Sequence, residues 1–154
     1  MASTISAATL TVTTTESITL NGSNMGATNT LSISSINEIN QRIIAVTHGA
    51  VRTLFEFGAT TGAGTFVAAD VKYIRLTNKD DGVLIEINLE TASSNCWVGL
   101  TAGQSLVLST ANTLLEADDD TTIAAPTLQN LTKISANVAP VGGVVDLDCY
   151  IASA

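Results

Sequence analysis

Apolar and polar residues alternate with a period of two along most of this chain. Val83, Ile85, Ile87 and Leu89 are interleaved with Leu84, Glu86, Asn88 and Glu90, and Val145, Leu147, Cys149 and Ile151 with Val144, Asp146, Asp148 and Tyr150. A period of two places each set on its own face of a strand, so these segments are expected to be half-buried strands of an antiparallel sheet. No window of eleven or more residues sustains a 3.6-residue period, and helix is expected to be nearly absent.

Ala8, Leu10 and Val12 alternate with Thr9, Thr11 and Thr13, which predicts a first strand. Asn21-Gly22 is a turn signal that opens an expected loop from Asn21 to Asn29. Leu31 and Ile33 begin another strand. Ser35-Ile36-Asn37-Glu38 has the form of a capping box, so a short helix over Ser35 to Gln41 competes with strand there. Three hairpins are then expected, Gln41–Thr47 with Val51–Phe57, Val71–Thr77 with Val83–Glu90, and Cys96–Leu100 with Ser105–Ser109; Leu128–Val138 and Val144–Ile151 are the last two strands, joined across Pro140, Gly142 and Gly143. In the second, Asp81-Gly82 supplies the turn chemistry. Eight to ten short strands separated by turns bury their apolar faces as a two-sheet sandwich or a barrel. The expected fold is all-β, an antiparallel jelly-roll-like sandwich forming one domain over residues 1–154. Residues 1–30 are either a candidate N-terminal arm that reaches another subunit or an ordinary first strand. Ile85, Ile87, Leu106, Leu108, Val145 and Leu147 are the expected core.

Composition narrows the partners. The net charge is −8, and the six basic residues, Arg42, Arg52, Lys72, Arg75, Lys79 and Lys133, are scattered singly. No basic stripe is available for phosphates, so nucleic-acid binding is not expected. No apolar run reaches the length of a membrane span. No basic region followed by an apolar stretch marks a secretory signal, and the chain is expected to act in the cytoplasm or to leave the cell by a route that needs no signal, such as lysis. Only 13% of residues are charged. Either Thr, Ser and Asn coat the surface, or part of it is hidden in an assembly.

Candidate chemistry is sparse. Asp118-Asp119-Asp120, near Glu116, could hold Ca²⁺ but lacks the ligand spacing of a calcium loop, and reads more simply as a solvated acidic segment. His48 is the sole histidine, in an expected turn, with no triad around it. Asp80-Asp81 and Asp146/Asp148, with Tyr150 next on the same face, could do acid–base work or simply form a polar surface. Gly62-Ala63-Gly64 is not followed by the Lys of a phosphate loop. Trp97 suits core or inter-subunit packing, with sugar stacking as the other use. Cys96 and Cys149 read as small buried hydrophobes and would pair only if their strands were adjacent. No catalytic, cofactor-binding or metal residue is assigned, and no cofactor is expected.

The segment FVAADVKYIRLTNKDDGVLIEINL (Phe66 to Leu89), followed by CWVGLTAGQSLVL (Cys96 to Leu108), resembles small virion structural proteins of tailed phages, of the kind carried by marine and cyanobacterial podoviruses. The shared pattern is a strand ending in Thr77-Asn78, an acidic turn at Asp80-Asp81-Gly82, an aliphatic strand, then Trp97 leading to Gly103-Gln104-Ser105-Leu106-Val107-Leu108. It spans about 45 residues, roughly a third of the chain, as a pattern of aliphatic strands and turns. The resemblance implies a non-enzymatic capsid decoration (cement) protein or head or tail appendage. Its partners would be the major capsid protein or other virion proteins and further copies of itself, and it would reside in the virion after assembly in the host cytoplasm. The alternative is a receptor- or carbohydrate-binding β-sandwich on a tail or fibre, against which the low aromatic content counts.

Overall fold

The computed structural model describes residues 5–116, 125–139 and 141–154. It is all-β, with no helix among the described residues. In chain order the strands are β1 (Ala8–Thr15), β2 (Thr19–Leu20), β3 (Ser23–Asn24), β4 (Thr28–Ile36), β5 (Glu38–Thr47), β6 (Arg52–Gly58), β7 (Thr65–Val67), β8 (Val71–Asn78), β9 (Ile85–Glu90), β10 (Asn95–Leu100), β11 (Ser105–Leu108), β12 (Lys133–Val138) and β13 (Val144–Ser153). Two sheets form the sandwich. One has the order β11-β8-β13-β5 and the other β10-β9-β12-β6-β7.

Matched position by position, β11 corresponds to β10, β8 to β9, β13 to β12 and β5 to β6, so each strand's counterpart is its neighbour along the chain. Two four-stranded sheets wound in this order make the double Greek key of a jelly roll. β7 adds a fifth strand at one edge, parallel to β6. The expected jelly-roll-like sandwich is therefore the fold.

The expected pairing is corrected. None of the three predicted hairpins exists, because in each the two strands belong to opposite sheets, and β12 and β13 are divided between the sheets in the same way. The segments after Thr47, Asn78, Leu100 and Val138 carry the chain from one sheet to the other instead of folding a strand back on its neighbour. Turn residues mark where a chain reverses. They do not say whether it returns beside itself or across the ~10 Å that separates packed sheets. The hairpin inside the sandwich is β9–β10, in register from Asn95↔Glu90 to Leu100↔Ile85. It turns at Thr91, whose Oγ1 accepts the Ser94 N–H at 3.0 Å.

The helix weighed at Ser35 to Gln41 is also absent. β4 runs to Ile36 and β5 starts at Glu38, with Ser35 in the left-handed region (φ 64°) at the corner. The Ser and Glu that look like a capping box sit instead where one strand ends and the next begins.

Ile85, Ile87, Val145 and Leu147 are fully buried, as expected, among Phe55, Ile74, Leu76, Ile134 and Ile151. Leu106 and Leu108 are only half-buried at the rim of this core, because β11 is an edge strand. We therefore expect Leu106→Ala to cost about 1 kcal/mol, below the range for a fully buried leucine. Urea unfolding of this variant beside Ile87→Ala checks the order, and Leu106→Ala as the more damaging of the two would contradict it.

β1 belongs to neither sandwich sheet. It pairs with β4 alone, from Ala8↔Ile36 to Thr15↔Thr28. Cross-strand threonines line the hairpin, Thr28 Oγ1 donating to Thr15 Oγ1 at 3.3 Å. Beyond them β2 and β3 close on Asn21-Gly22, both at positive φ (51° and 80°), the backbone of a tight hairpin turn. The expected loop from Asn21 to Asn29 is thus a turn between short strands running into β4. The hairpin touches the sandwich through its base. Leu10, Val12, Ile33 and Ile36 pack on Tyr73, Tyr150 and Ala152.

Candidate functional site

The outer face of the β11-β8-β13-β5 sheet carries a cluster of polar and aromatic side chains. Register places Asp148 beside Thr77, and Tyr150 beside Arg75, on β13 and β8. The Arg75 guanidinium donates to Asp148 Oδ2 at 2.9 Å and to Thr77 Oγ1 at 2.7 Å, and lies 5.9 Å from the Tyr150 ring centroid. Tyr150 in turn meets Tyr73 edge to face. Burial beneath the hairpin pushes the Tyr73 phenol above its ordinary value, Arg75 opposing the shift. Leu10–Thr13 of β1 together with Tyr73, Arg75 and Tyr150 line an open cleft of about 350 Å³ beside this contact. Asp146 and Asp148 do share a face, as the alternation indicated, but Asp148 is neutralised by Arg75 and Asp146 is exposed. The two carboxylates are part of a polar surface, one ion-paired and one open to solvent, rather than an acid and a base converging on one point. Arg75, whose role sequence spacing could not show, organises it from the neighbouring strand.

The other candidates are dispersed. His48 is exposed, its Nδ1 2.8 Å from the Val138 carbonyl, where it ties the segment after β5 to the end of β12. Asp80 accepts the N–H groups of Gly82 (2.9 Å) and Val83 (2.7 Å), which hold its carboxyl below the usual range. Gly62 and Thr65 bond each other's backbone in a tight turn before β7. Asp118, Asp119 and Asp120 lie outside the described residues. Among the described residues no three His, Cys, Asp or Glu side chains are grouped closely enough to hold a metal ion.

Cys149 is buried and Cys96 half-buried, in different sheets and unpaired. Burial pushes the Cys149 thiol up to about 12. The thiolate is the reactive form, so Cys149 should resist a disulfide reagent at mild alkaline pH while the fold is intact. Thiol titration is expected to find at most one reactive group in the native chain and two in guanidinium. Two fast native thiols would contradict the packing of β13.

Trp97 is not core. It is 48% exposed on the edge strand β10. Register puts it directly beside Asn88 of β9, and Asn88 beside Ser135 of β12. This row crosses the outer face of the second sheet, flanked by the Lys133–Glu90 ion pair at 2.6 Å and by the Asn137–Glu86 hydrogen bond at 3.2 Å.

Exposed large apolar side chains are unevenly spread. On the N-terminal hairpin Ile18, Leu20, Met25 and Leu31 are 49–66% exposed, and on the outer face of the first sheet Ile39, Ile43, Val107 and Val144 are 51–66% exposed. The open side of the sandwich between β5 and β6 holds a second cleft of about 360 Å³, lined by Arg42, Ile43, Ile44, Ala45, Arg52 and Thr53. Arg42 reaches inward, donates to the Leu54 carbonyl and lies 5.4 Å from the Phe55 ring centroid. The ion pairs among the described residues are Arg75–Asp148 and Lys133–Glu90, so neither arginine of this cleft meets a carboxylate.

Compared with known proteins, the chain matches no family model, no curated protein and no solved structure.

Proposed function

We propose that this chain is a non-enzymatic structural protein of a tailed-phage virion, most simply a decoration protein on the outer capsid surface, bound to the major capsid protein or another virion protein. The observation that carries this reading is the N-terminal hairpin, which stands outside both sandwich sheets with an apolar, almost uncharged tip. A projecting element of that kind is suited to contact with another protein. The jelly-roll core is compatible with it, since this architecture serves viral coat proteins, although it also serves lectins and enzymes. A net charge of −8 keeps such a domain away from packaged nucleic acid, and many copies would gain avidity from weak contacts. Quantitative mass spectrometry of purified particles tests the proposal. Hundreds of copies per particle support a capsid role. A dozen or fewer indicate a tail or vertex appendage, and absence from particles refutes the virion reading.

Trp97 favours one second reading, a carbohydrate-binding sandwich on a tail or fibre. An exposed indole on the same sheet face as the half-buried Lys133–Glu90 ion pair offers a stacking surface with charged groups on that face. If that reading holds, a glycan screen should return ligands that quench Trp97 fluorescence, and Trp97→Ala should abolish their binding without changing the fold. Quenching by no saccharide would remove it.

A further inference from the structure

Glu16 is the only charged side chain between Met1 and Asn37. It sits where β1 gives way to the exposed tip, two residues before Ile18 and four before Leu20. At its β5–β6 edge the sandwich holds a cleft of the opposite charge, bordered on β5 by uncharged outward residues and, one strand further in, by Asp146 and Asp148 of β13. The outward residues of β5 are Ile39, Gln41, Ile43, Ala45 and Thr47, all uncharged. Beside Ile43 lies the cleft with Arg42 and Arg52, two of only six basic residues in a chain with fourteen acids, neither neutralised by a carboxylate among the described residues.

From this complementarity we infer that the hairpin of one copy docks on the β5–β6 side of a second copy. Ile18 and Leu20 cover Ile39 and Ile43, and the Glu16 carboxylate enters the arginine cleft and pairs with Arg52. The chain cannot make this contact with itself. Its own hairpin is anchored over β8 and β13 by Tyr73 and Tyr150, and in that position Ile39 and Ile43 remain 55% and 66% exposed. β5 is also a ten-residue edge strand, a feature that soluble proteins cover or protect. A hairpin with one negative charge approaches an acidic body without the repulsion a charged arm would meet, and the single charge fixes the register of docking. The contact joins hairpin to sandwich, so made twice about a two-fold axis it gives a reciprocal pair, and repeated head to tail it gives a ring where the rotation closes and a filament where it does not.

Sedimentation of the purified chain, with no other virion component present, tests this. The full-length protein is expected to self-associate at micromolar concentration. Glu16→Arg and Arg52→Glu should each weaken association by about tenfold or more, since like charges then face one another across the contact. The double variant should recover it, and an equimolar mixture of the two single variants should form mixed dimers. Both side chains are surface groups, so circular dichroism should show all variants folded. Leu20→Lys, which leaves the ion pair intact, should also reduce association. A monomeric full-length chain, single variants that associate like the original, or a double variant no better than the singles would each overturn the inference. Because only this chain is present, the outcome is separate from whether the protein is found on virions.

Discussion

Phe55→Ala is expected to remove about 3–5 kcal/mol of stability, the cost of deleting a large buried aromatic and leaving its cavity. Phe55 lies on β6 with no exposed surface. It meets Phe66 of β7 edge to face at 5.9 Å, carries the Arg42 guanidinium over its ring, and pairs with Ile134 of β12 across the sheet. Truncation strikes all three contacts. It removes the partner that holds the parallel edge strand β7, opens the core beneath β12, and takes away the surface on which a half-buried arginine rests. A domain of this size has about 5–15 kcal/mol in total. The variant should therefore unfold at a much lower urea concentration, or accumulate insoluble. Phe57→Leu, a milder change on the same strand, serves as comparison. A Phe55→Ala midpoint close to that of the unmodified chain would mean that the β6–β7 edge is not packed as described.

The residue pattern carried the strands and the core, and lost the connections. Each alternating segment from Val71 onward contains a strand, and Ile85, Ile87, Val145 and Leu147 point inward as their period requires. Pairing is decided by partners distant in sequence. β13 joins β5 and β8, and β12 joins β6 and β9, and no local signal records this. Edge position was equally invisible. The alternation of Leu106 and Leu108 is as regular as that of Leu147, yet β11 lies at a sheet margin and leaves both half-buried. Trp97 shows the same gap, since strand character on β10 does not reveal that its outer face is open. The surface features were legible only in part. The threonine-rich first strand reads as a strand from its alternation, but its pairing with β4 alone, outside both sheets, is not recorded there. The Arg75–Asp148 pair spans 73 residues and needed the fold to be seen.

The second large effect is expected at Asn78, the last residue of β8. It is fully buried, and its side chain is satisfied at both ends. Nδ2 donates to the carbonyls of Val83 (2.8 Å) and Leu100 (3.0 Å), while Oδ1 accepts the Asp80 N–H (2.9 Å). Its backbone N–H donates to the Gln104 carbonyl and its carbonyl accepts the Gly103 N–H. One side chain thus joins the β8-to-β9 segment to the end of β10, and its backbone joins the β10-to-β11 segment. Asn78→Leu keeps the volume but removes the side-chain partner of two carbonyls and one N–H, of which the Leu100 carbonyl lies in the buried part of the network and the other two at its half-buried margin. Each such group costs about 1–3 kcal/mol when left unsatisfied and buried, so a loss of about 2–4 kcal/mol is expected, allowing for partial relaxation. Amide exchange should locate the damage at Asp80, Gly103 and Gln104, where the three segments meet, and leave the β1–β4 hairpin unchanged. A loss under about 1 kcal/mol with native protection at those amides would show that the crossings at this end of the sandwich are held by the strands alone.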